Sequence, residues 1–318
     1  MAETSTKARS GRASARRLAP LAVGLLLLAA CAKIAGISGL EIGECKGGVC
    51  VSEGGTDATE PDQEAGPPLR EGGMFDSSKP CPGAAGPLMI RVGTEANNFC
   101  IDTTEVTVKQ YTAFTTAKGN DVSGQPAKCA WNTSYAAALG GADELPIAGV
   151  NWCDAQAYCK WAGKRLCGKH ANNSFVGPVG VADLGEFTTH EWLLACSDLG
   201  QLRYPYGGIQ QPTTCNTGEN EAGRTLAVRS KPECQGGFNG VFDMVGNVWE
   251  WIDGPCLPPD AGPPGDAAPV EAGPQKDECF VKGGAFLNVG VNLDCRVDGR
   301  GASRDRRGQE IGIRCCSD

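Results

Sequence analysis

The chain has 318 residues, of which 41% are hydrophobic and 21% charged, and its formal net charge is −8. This length is sufficient for one sizeable core, and the acidic balance argues against nucleic acid as a partner. The 45 glycines and 20 prolines predict few regular helices. No internal repeat is visible.

The N-terminus has the pattern of a bacterial-type secretory signal. Lys7 and four arginines between residues 9 and 17 precede the apolar run Leu18–Ala30, which is too short to span a bilayer. The run ends in Leu-Ala-Ala-Cys31, and small residues ahead of a cysteine resemble a lipoprotein signal-peptidase site. An ordinary signal with an incidental cysteine is the alternative. We expect residues 1–30 to be a lipoprotein signal peptide and Cys31 to carry the lipid.

Lipidation would place the chain in the cell envelope, and Ala32 after the cysteine favours the outer membrane, facing the periplasm or the exterior. Residues 1–30 carry five basic side chains and one acidic, so their removal would leave a net charge of −12. Contact with the membrane is therefore expected through the lipid anchor rather than through anionic headgroups.

Residues 31–79 read as a flexible, lipid-anchored tether. Gly, Pro, Glu, Asp, Ser and Thr dominate Ser52–Pro80, which cannot bury enough apolar surface to offset its ordering entropy. Cys45 and Cys50 enclose two glycines, a spacing that suits a local disulfide. A metal site there is the less favoured alternative, because no further ligand lies nearby.

Cysteine usage predicts a disulfide framework. Sixteen of the 17 cysteines remain when Cys31 is set aside, an even number that is typical of an oxidising compartment. Zinc is the competing interpretation, but the chain has no C-x-x-C pair and only two histidines, His170 and His190.

Residues 80–318 form the expected globular domain, in which three helices are predicted. Thr107 can cap a helix over 108–117, and Asn151 can cap one over 152–162. Thr188 and Glu191 have capping-box spacing ahead of a third helix over 192–196.

Short strands and a loop complete the domain. The strands are predicted over 89–92, 99–102, 280–282 and 311–315. The segment 257–276, rich in Pro, Ala, Gly and Asp, is expected to be a solvated loop closed at its base by a Cys256–Cys279 bridge.

Five segments in chain order resemble the formylglycine-generating, sulfatase-modifying factor family. They are Phe99–Thr107, Pro146–Leu166, Phe187–Trp192, Gly240–Trp251, and Lys282–Phe286 together with Ile311–Cys315. The resemblance spans nearly all of residues 86–316. It implies an α+β fold: a single sulfatase-modifying-factor domain, related to C-type lectin-like folds, with little regular secondary structure.

The resemblance also implies two disulfides, Cys159–Cys315 and Cys196–Cys295. A Cys215–Cys234 bridge is expected from flanking position, as is the Cys256–Cys279 bridge. Six further cysteines are left without an assigned partner.

Two calcium sites are implied by the same resemblance. The first would use the side chains of Asp243 and Glu250 and the carbonyls of Gly246 and Val248, and carboxylates around a glycine turn do suit a hard cation. The alternative is that Glu250 caps a backbone group or pairs with an arginine. A second, weaker site would begin at Asn216 and Thr217, where the following loop departs from the family pattern.

Family members that oxidise a target cysteine use two cysteines shortly after the Lys-Gly-Gly motif, since soft thiolates bind Cu(I). Asn288 occupies the first of these positions, and the next thiol is Cys295, which matches a structural disulfide partner. Copper is therefore not expected, and Cys295 is only a weak catalytic candidate.

The two histidines and a group of arginines are further candidates, but a role other than catalysis or ligand binding is favoured for each. His190 is expected to be a solvated residue near a helix cap, and His170 to lie in a surface loop. Five arginines between 296 and 307 could bind an anionic or peptide ligand, although pairing with surface carboxylates is favoured. The sequence thus predicts an envelope lipoprotein that binds a peptide or glycan or has a structural role. The alternative is a formylglycine-generating oxidase acting on exported sulfatase-type proteins.

Overall fold

The structure is a computed structural model that describes residues 79–82, 85–220, 222–258 and 273–318, all within one compact unit spanning residues 67–318. The predicted signal peptide, Cys31, the Cys45–Cys50 bridge and the tether up to residue 78 lie outside the described residues. So does most of the loop after Cys256. None of the described helices is long and apolar enough to cross a bilayer.

Two of the three helices begin where the sequence predicts. Helix α1 spans Val108–Lys118 and α2 spans Trp152–Trp161. Each starts with a capping box: Thr107 exchanges hydrogen bonds with the residue three positions later, and Asn151 does the same. These boxes satisfy backbone donors that a helix start otherwise leaves free.

The predicted start of the third helix is wrong. Helix α3 spans Glu191–Ser197, and its cap is His190, whose ring Nδ1 accepts from the Leu193 amide at 3.5 Å. Thr188 plays no part, because the Glu191 carboxylate is held instead by Arg165, at 2.5 and 2.7 Å, and by the Gly168 amide. The ion pair between Arg165 and the buried Glu191 therefore replaces the capping box that the local sequence predicts.

In the described part of the chain, ten strands form three small sheets. In chain order they are β1 Met89–Gly93, β2 Asn98–Asp102, β3 Arg165–Leu166, β4 Lys169–Ala171, β5 Ser174–Gly177, β6 Trp249–Leu257, β7 Glu278–Lys282, β8 Arg300–Ser303, β9 Ile311–Ile313 and β10 Cys315–Ser317. The sheets have the orders β1-β2-β10-β3, β4-β5 and β8-β7-β6-β9. Among these described strands, only β6 and β9 pair in parallel. The α+β class with little regular secondary structure is confirmed.

The strand expected over 311–315 is in fact two strands. β9 pairs with β6 in one sheet, whereas β10 pairs with β2 and β3 in another. The break falls at Arg314, whose buried guanidinium bonds to groups from both sheets. This residue therefore lies where the chain passes from one sheet to the other.

Seven disulfides cross-link the described residues. Four match the expected pairs: Cys159–Cys315, Cys196–Cys295, Cys215–Cys234 and Cys256–Cys279. The other three are Cys81–Cys100, Cys129–Cys153 and Cys167–Cys316. The vicinal cysteines 315 and 316 hold β10 from both of its faces, since side chains alternate along a strand. All 14 cysteines of the described ranges are thereby paired.

Candidate functional site

The motifs that carry the family resemblance converge on a buried ionic cluster around Arg314. Its Nε lies 2.9 Å from both carboxylate oxygens of Glu250, and its Nη2 lies 2.8 Å from Oε1. The remaining donors reach the carbonyls of Asp102 and Phe242. Glu250 also accepts a hydrogen bond from the Trp192 indole at 2.6 Å. The arginine partner left open for Glu250 by the sequence is thus Arg314.

Two further carboxylates lie beside this pair. Glu105 accepts from the Val248 amide and the Asn247 side chain, at 3.0 and 2.7 Å. Asp243 accepts from the Arg229 amide at 2.7 Å and adopts a positive φ of 59°. Three buried acids therefore surround one buried guanidinium, an arrangement that leaves the cluster formally negative.

The protonation of these acids reflects their burial. Desolvation raises the pKa of Asp243 to about 6, and it raises the pKa of Glu105 well above its usual value, where neighbouring Asp243 and Glu250 add to the effect. Burial likewise raises the pKa of Glu250, but Arg314 opposes that shift. An additional cation would stabilise the ionised forms of this cluster.

The four residues expected to hold calcium lie in the same turn. The Gly246 and Val248 carbonyls accept no hydrogen bond from any described residue, and Asp243 has one oxygen free of such bonds. Glu250 is shared with Arg314 and Trp192, although a carboxylate has about four lone-pair sites. Three members of this donor set thus have an oxygen free for a hard cation, and the fourth would have to be shared.

The second expected site lies alongside. The Oδ1 atom of Asn216 is buried without a hydrogen-bond partner, while its Nδ2 bonds to Asn247 and to the Arg224 carbonyl. The Thr217 carbonyl accepts from the Asn220 amide. A buried acceptor without a donor lowers the stability of the folded state. A bound cation would satisfy the Oδ1 atom of Asn216.

The segment after Lys-Gly-Gly carries no thiol ligand. Asn288 directs its Oδ1 to the Ala285 amide at 2.9 Å, which closes a tight turn. Cys295, the weak catalytic candidate, is excluded as a free thiol because it is buried in a disulfide with Cys196. Over the described part of the chain, these residues do not fit a cuprous ion, which requires soft sulfur donors.

Both histidines were predicted in the wrong environment. His190 is fully buried and burial lowers its pKa well below the usual value. His170 is also fully buried, with Nδ1 2.8 Å from the Asn97 side chain, and burial lowers its pKa to about 4. Its expected surface loop is a β4–β5 hairpin that folds back on the domain. Both rings are therefore neutral structural groups at neutral pH.

The arginine stripe is used for ion pairing. Its members bond to acidic residues of the same domain: Arg296 to Asp294, Arg300 and Arg306 to Glu310, Arg304 to Asp277, and Arg307 to Asp154. These contacts match the favoured alternative for the stripe rather than an anion-binding role.

Sequence reasoning missed Glu105 and Arg314 as members of the cluster. Arg314 stands in the otherwise apolar motif Ile311–Cys315, and Glu105 stands beside the buried Val106 in Phe99–Thr107. Charged residues are rarely fully buried unless they are paired, so these two could have been matched with each other or with Glu250.

The fold and the cluster define a disulfide-stapled α+β domain built around a buried Glu–Arg pair. The family model described as the sulfatase-modifying factor enzyme 1-like domain matches residues 64–318. The chain therefore belongs to this family.

Its relatives include both inactive and active members. The chain is 27% identical over 194 residues to the inactive C-alpha-formylglycine-generating enzyme 2 of Bos taurus, covering 55% of this chain and 50% of that one. It is 26% identical over 270 residues to the formylglycine-generating enzyme of Streptomyces coelicolor, covering 69% and 78%. The chain thus spans about half the length of the bovine relative.

Solved structures give weaker likenesses. The structure of PvdO from Pseudomonas aeruginosa matches with 19% identity and a TM-score of 0.46, covering 73% of this chain and 84% of that one. The crystal structure of CarF matches with 20% identity and a TM-score of 0.40, covering 69% and 86%.

Replacing Arg314 by Met should destabilise the domain by about 3–5 kcal/mol, because three buried carboxylates would lose their cation. The loss should be smaller at pH 5 than at pH 8, since the acids of the cluster have raised pKa values and take up protons as the pH falls. Urea unfolding at the two pH values measures both effects.

The milder Arg314→Lys variant keeps the charge and should lose less stability. The matched control is Arg224→Met, which removes an exposed arginine whose side chain bonds to no described residue; it should change stability by no more than about 0.5 kcal/mol. Equal losses in Arg314→Met and Arg224→Met would contradict a central role for the cluster.

Proposed function

We propose that this protein is an envelope lipoprotein whose sulfatase-modifying-factor domain serves as a binding or structural module without copper oxidase chemistry. Its ligand would be a peptide or a glycan, and nucleic acid is not expected because the chain is acidic. The fold permits such reuse, since function resides in sites grafted on a scaffold.

The environment of Asn288 is the observation that supports this proposal most directly. An amide stands where the oxidases carry a cysteine, and it is already engaged in a turn with Ala285. Cuprous ion prefers thiolates, so a neutral oxygen or nitrogen donor would hold it weakly. The similarity to inactive relatives of Bos taurus and Mus musculus points the same way.

The alternative is a formylglycine-generating oxidase acting on cysteines of exported sulfatase-type proteins. The similarity to formylglycine-generating enzymes, which for Streptomyces coelicolor covers 78% of that relative, favours it. This alternative would require metal ligands other than a thiol pair in the segment after Lys282.

Copper loading separates the two proposals. Purified chain with its disulfides intact, treated with Cu(I) under anaerobic conditions without added thiol, should retain far less than one equivalent after desalting. On exposure to air it should leave a cysteine-containing sulfatase-type peptide unchanged in mass. The Streptomyces coelicolor enzyme serves as the positive control. Stoichiometric copper together with the mass loss of aldehyde formation would overturn the proposal and establish the oxidase.

The lipid anchor is proposed from the sequence around Cys31. Two or three acyl chains on one residue would hold the protein stably at a membrane, whereas one would not. Mass spectrometry of the N-terminal peptide from membranes should detect a diacylglyceryl group on Cys31. The Cys31→Ser variant should lose it and be released from the membrane fraction. An unmodified Cys31 in membrane-derived protein would contradict the anchor.

Calcium is proposed as a structural ion held by Asp243, Gly246, Val248 and Glu250, with a weaker site at Asn216 and Thr217. When bound, the ion would neutralise part of the negative charge of the cluster and satisfy acceptors that lack donors.

Chelation tests the calcium proposal. Excess EDTA should lower the melting temperature, and added Ca²⁺ should restore it with a concentration-dependent shift, because a ligand of the folded state stabilises that state. The Asp243→Asn variant should show a weaker Ca²⁺ response than wild type. Glu95→Gln, which alters an exposed acid between β1 and β2 and outside both proposed sites, is the control and should respond normally. A melting temperature indifferent to Ca²⁺ and EDTA would exclude the ion.

A further inference from the structure

A cavity of about 660 Å³ lies on the opposite side of α2 from the core, and no residue that lines it belongs to the segment after Lys-Gly-Gly. Its walls come from the end of α1, the 123–126 loop, the outer face of α2, and strands β3 and β6. This volume falls in the range of small-molecule sites. The cavity is therefore distinct from the copper position of the family.

Most charged groups of the cavity are neutralised within the protein. Lys118 pairs with Asp121, Lys164 with buried Asp102, and Arg165 with Glu191 and Asp318. Two charges remain without an opposite partner within 4 Å in the described ranges. They are Lys160, which reaches only the Gly124 carbonyl at 3.3 Å, and Asp253. The uncompensated charge of the cavity is thus one positive and one negative group.

Asp253 is the group most in need of a donor. Its side chain accepts no hydrogen bond from any described residue, and burial raises its pKa, although Lys128 and Arg165 lie near enough to oppose that shift. The carboxylate oxygens of Asp253 are not among the buried atoms that lack a partner, so they are accessible from the cavity. They can accept hydrogen bonds from hydroxyl or amine groups of a ligand.

Neutral hydrogen-bonding groups of the same cavity are also unused. The Gln156 amide, the Tyr135 hydroxyl and the Trp161 indole N–H have no hydrogen-bond partner among the residues that the structure describes, and all three residues line the cavity. Together with Asp253 and Lys160 they supply both donors and acceptors. A ligand rich in hydroxyls matches this mixture, because each hydroxyl can both donate and accept.

Trp161 adds an apolar surface. Its ring packs against Phe114 and Tyr158, with centroids 5.6 and 5.9 Å away, yet the residue remains half-buried and lines a second cavity of about 390 Å³. The C–H face of a sugar ring can pack on such an indole while its hydroxyls reach the polar walls. Because Trp161 lines both cavities, linked sugar units could contact its ring from either one.

We infer that this cavity binds a neutral oligosaccharide through Trp161, Gln156 and Asp253. With one unpaired positive and one unpaired negative group, the cavity has no net preference for an anion or a cation, which favours a neutral ligand. The inference rests on the proposed binding role and assigns it a ligand class and a place.

Binding is tested on the purified full chain with a printed array of neutral glycans. Calorimetric titration with cellobiose, maltose, lactose and N,N′-diacetylchitobiose follows, and inorganic phosphate and the dipeptide Ala-Ala are the comparison probes. At least one neutral saccharide should bind, and Gln156→Ala and Asp253→Asn should each weaken it about tenfold, the effect of losing one or two ligand hydrogen bonds.

Gln309→Ala is the matched control, since Gln309 is exposed and its side chain has no described hydrogen bond; it should bind as wild type does. Circular dichroism and melting temperature check that the variants are folded. Failure of every neutral saccharide to bind, binding of phosphate or Ala-Ala instead, or unchanged affinity in both cavity variants would overturn the inference. Each of these results is separate from the copper assay, so failure here leaves the absence of oxidase chemistry to be judged on its own test.

Discussion

The pairing of Arg314 with Glu250 is the interaction on which the rest of the domain depends. One guanidinium, fully buried, bonds to Glu250 of β6 and to the Asp102 carbonyl of β2, one strand from each four-stranded sheet, and also to the Phe242 carbonyl. Burial alone would lower the pKa of Arg314, but Glu250, Glu105 and Asp243 reverse that effect and keep it charged. Breaking a buried pair costs more than forming it gains, because the remaining charge has no partner. The cluster thus fixes the relative position of the two sheets.

Disulfides complement this ionic centre because regular secondary structure is scarce. Within the residues that the structure describes, the longest strand has nine residues and the longest helix eleven, so much of that backbone lies in loops. Cys159–Cys315 and Cys167–Cys316 tie β10 to the end of α2 and to the segment after β3, across separations of 156 and 149 residues. Closing such long loops restricts the unfolded chain most, in the entropic account.

The turn after Lys-Gly-Gly is held by protein groups. Lys282 is buried beneath it with its Nζ directed to the Val297 carbonyl. Burial lowers the pKa of Lys282 to about 8. The turn is closed by the Asn288 side chain rather than by a metal ligand. A scaffold held by ion pairs and disulfides can therefore retain its shape when the residues of one surface site change.

The sequence by itself determined the family, the α+β class, the starts of α1 and α2, and four of the disulfide pairs. The helix starts follow from local capping residues, and the other results follow from short motifs and cysteine positions that are readable in the sequence. Tertiary structure alone decided the rest. It placed His170 and His190 in the core, moved the start of α3, split the last strand at Arg314 and brought Glu105 to Glu250. Each of these depends on burial and on partners distant in sequence, as with Arg165 and Glu191. The spacing of neighbouring residues does not show which distant residues will pair.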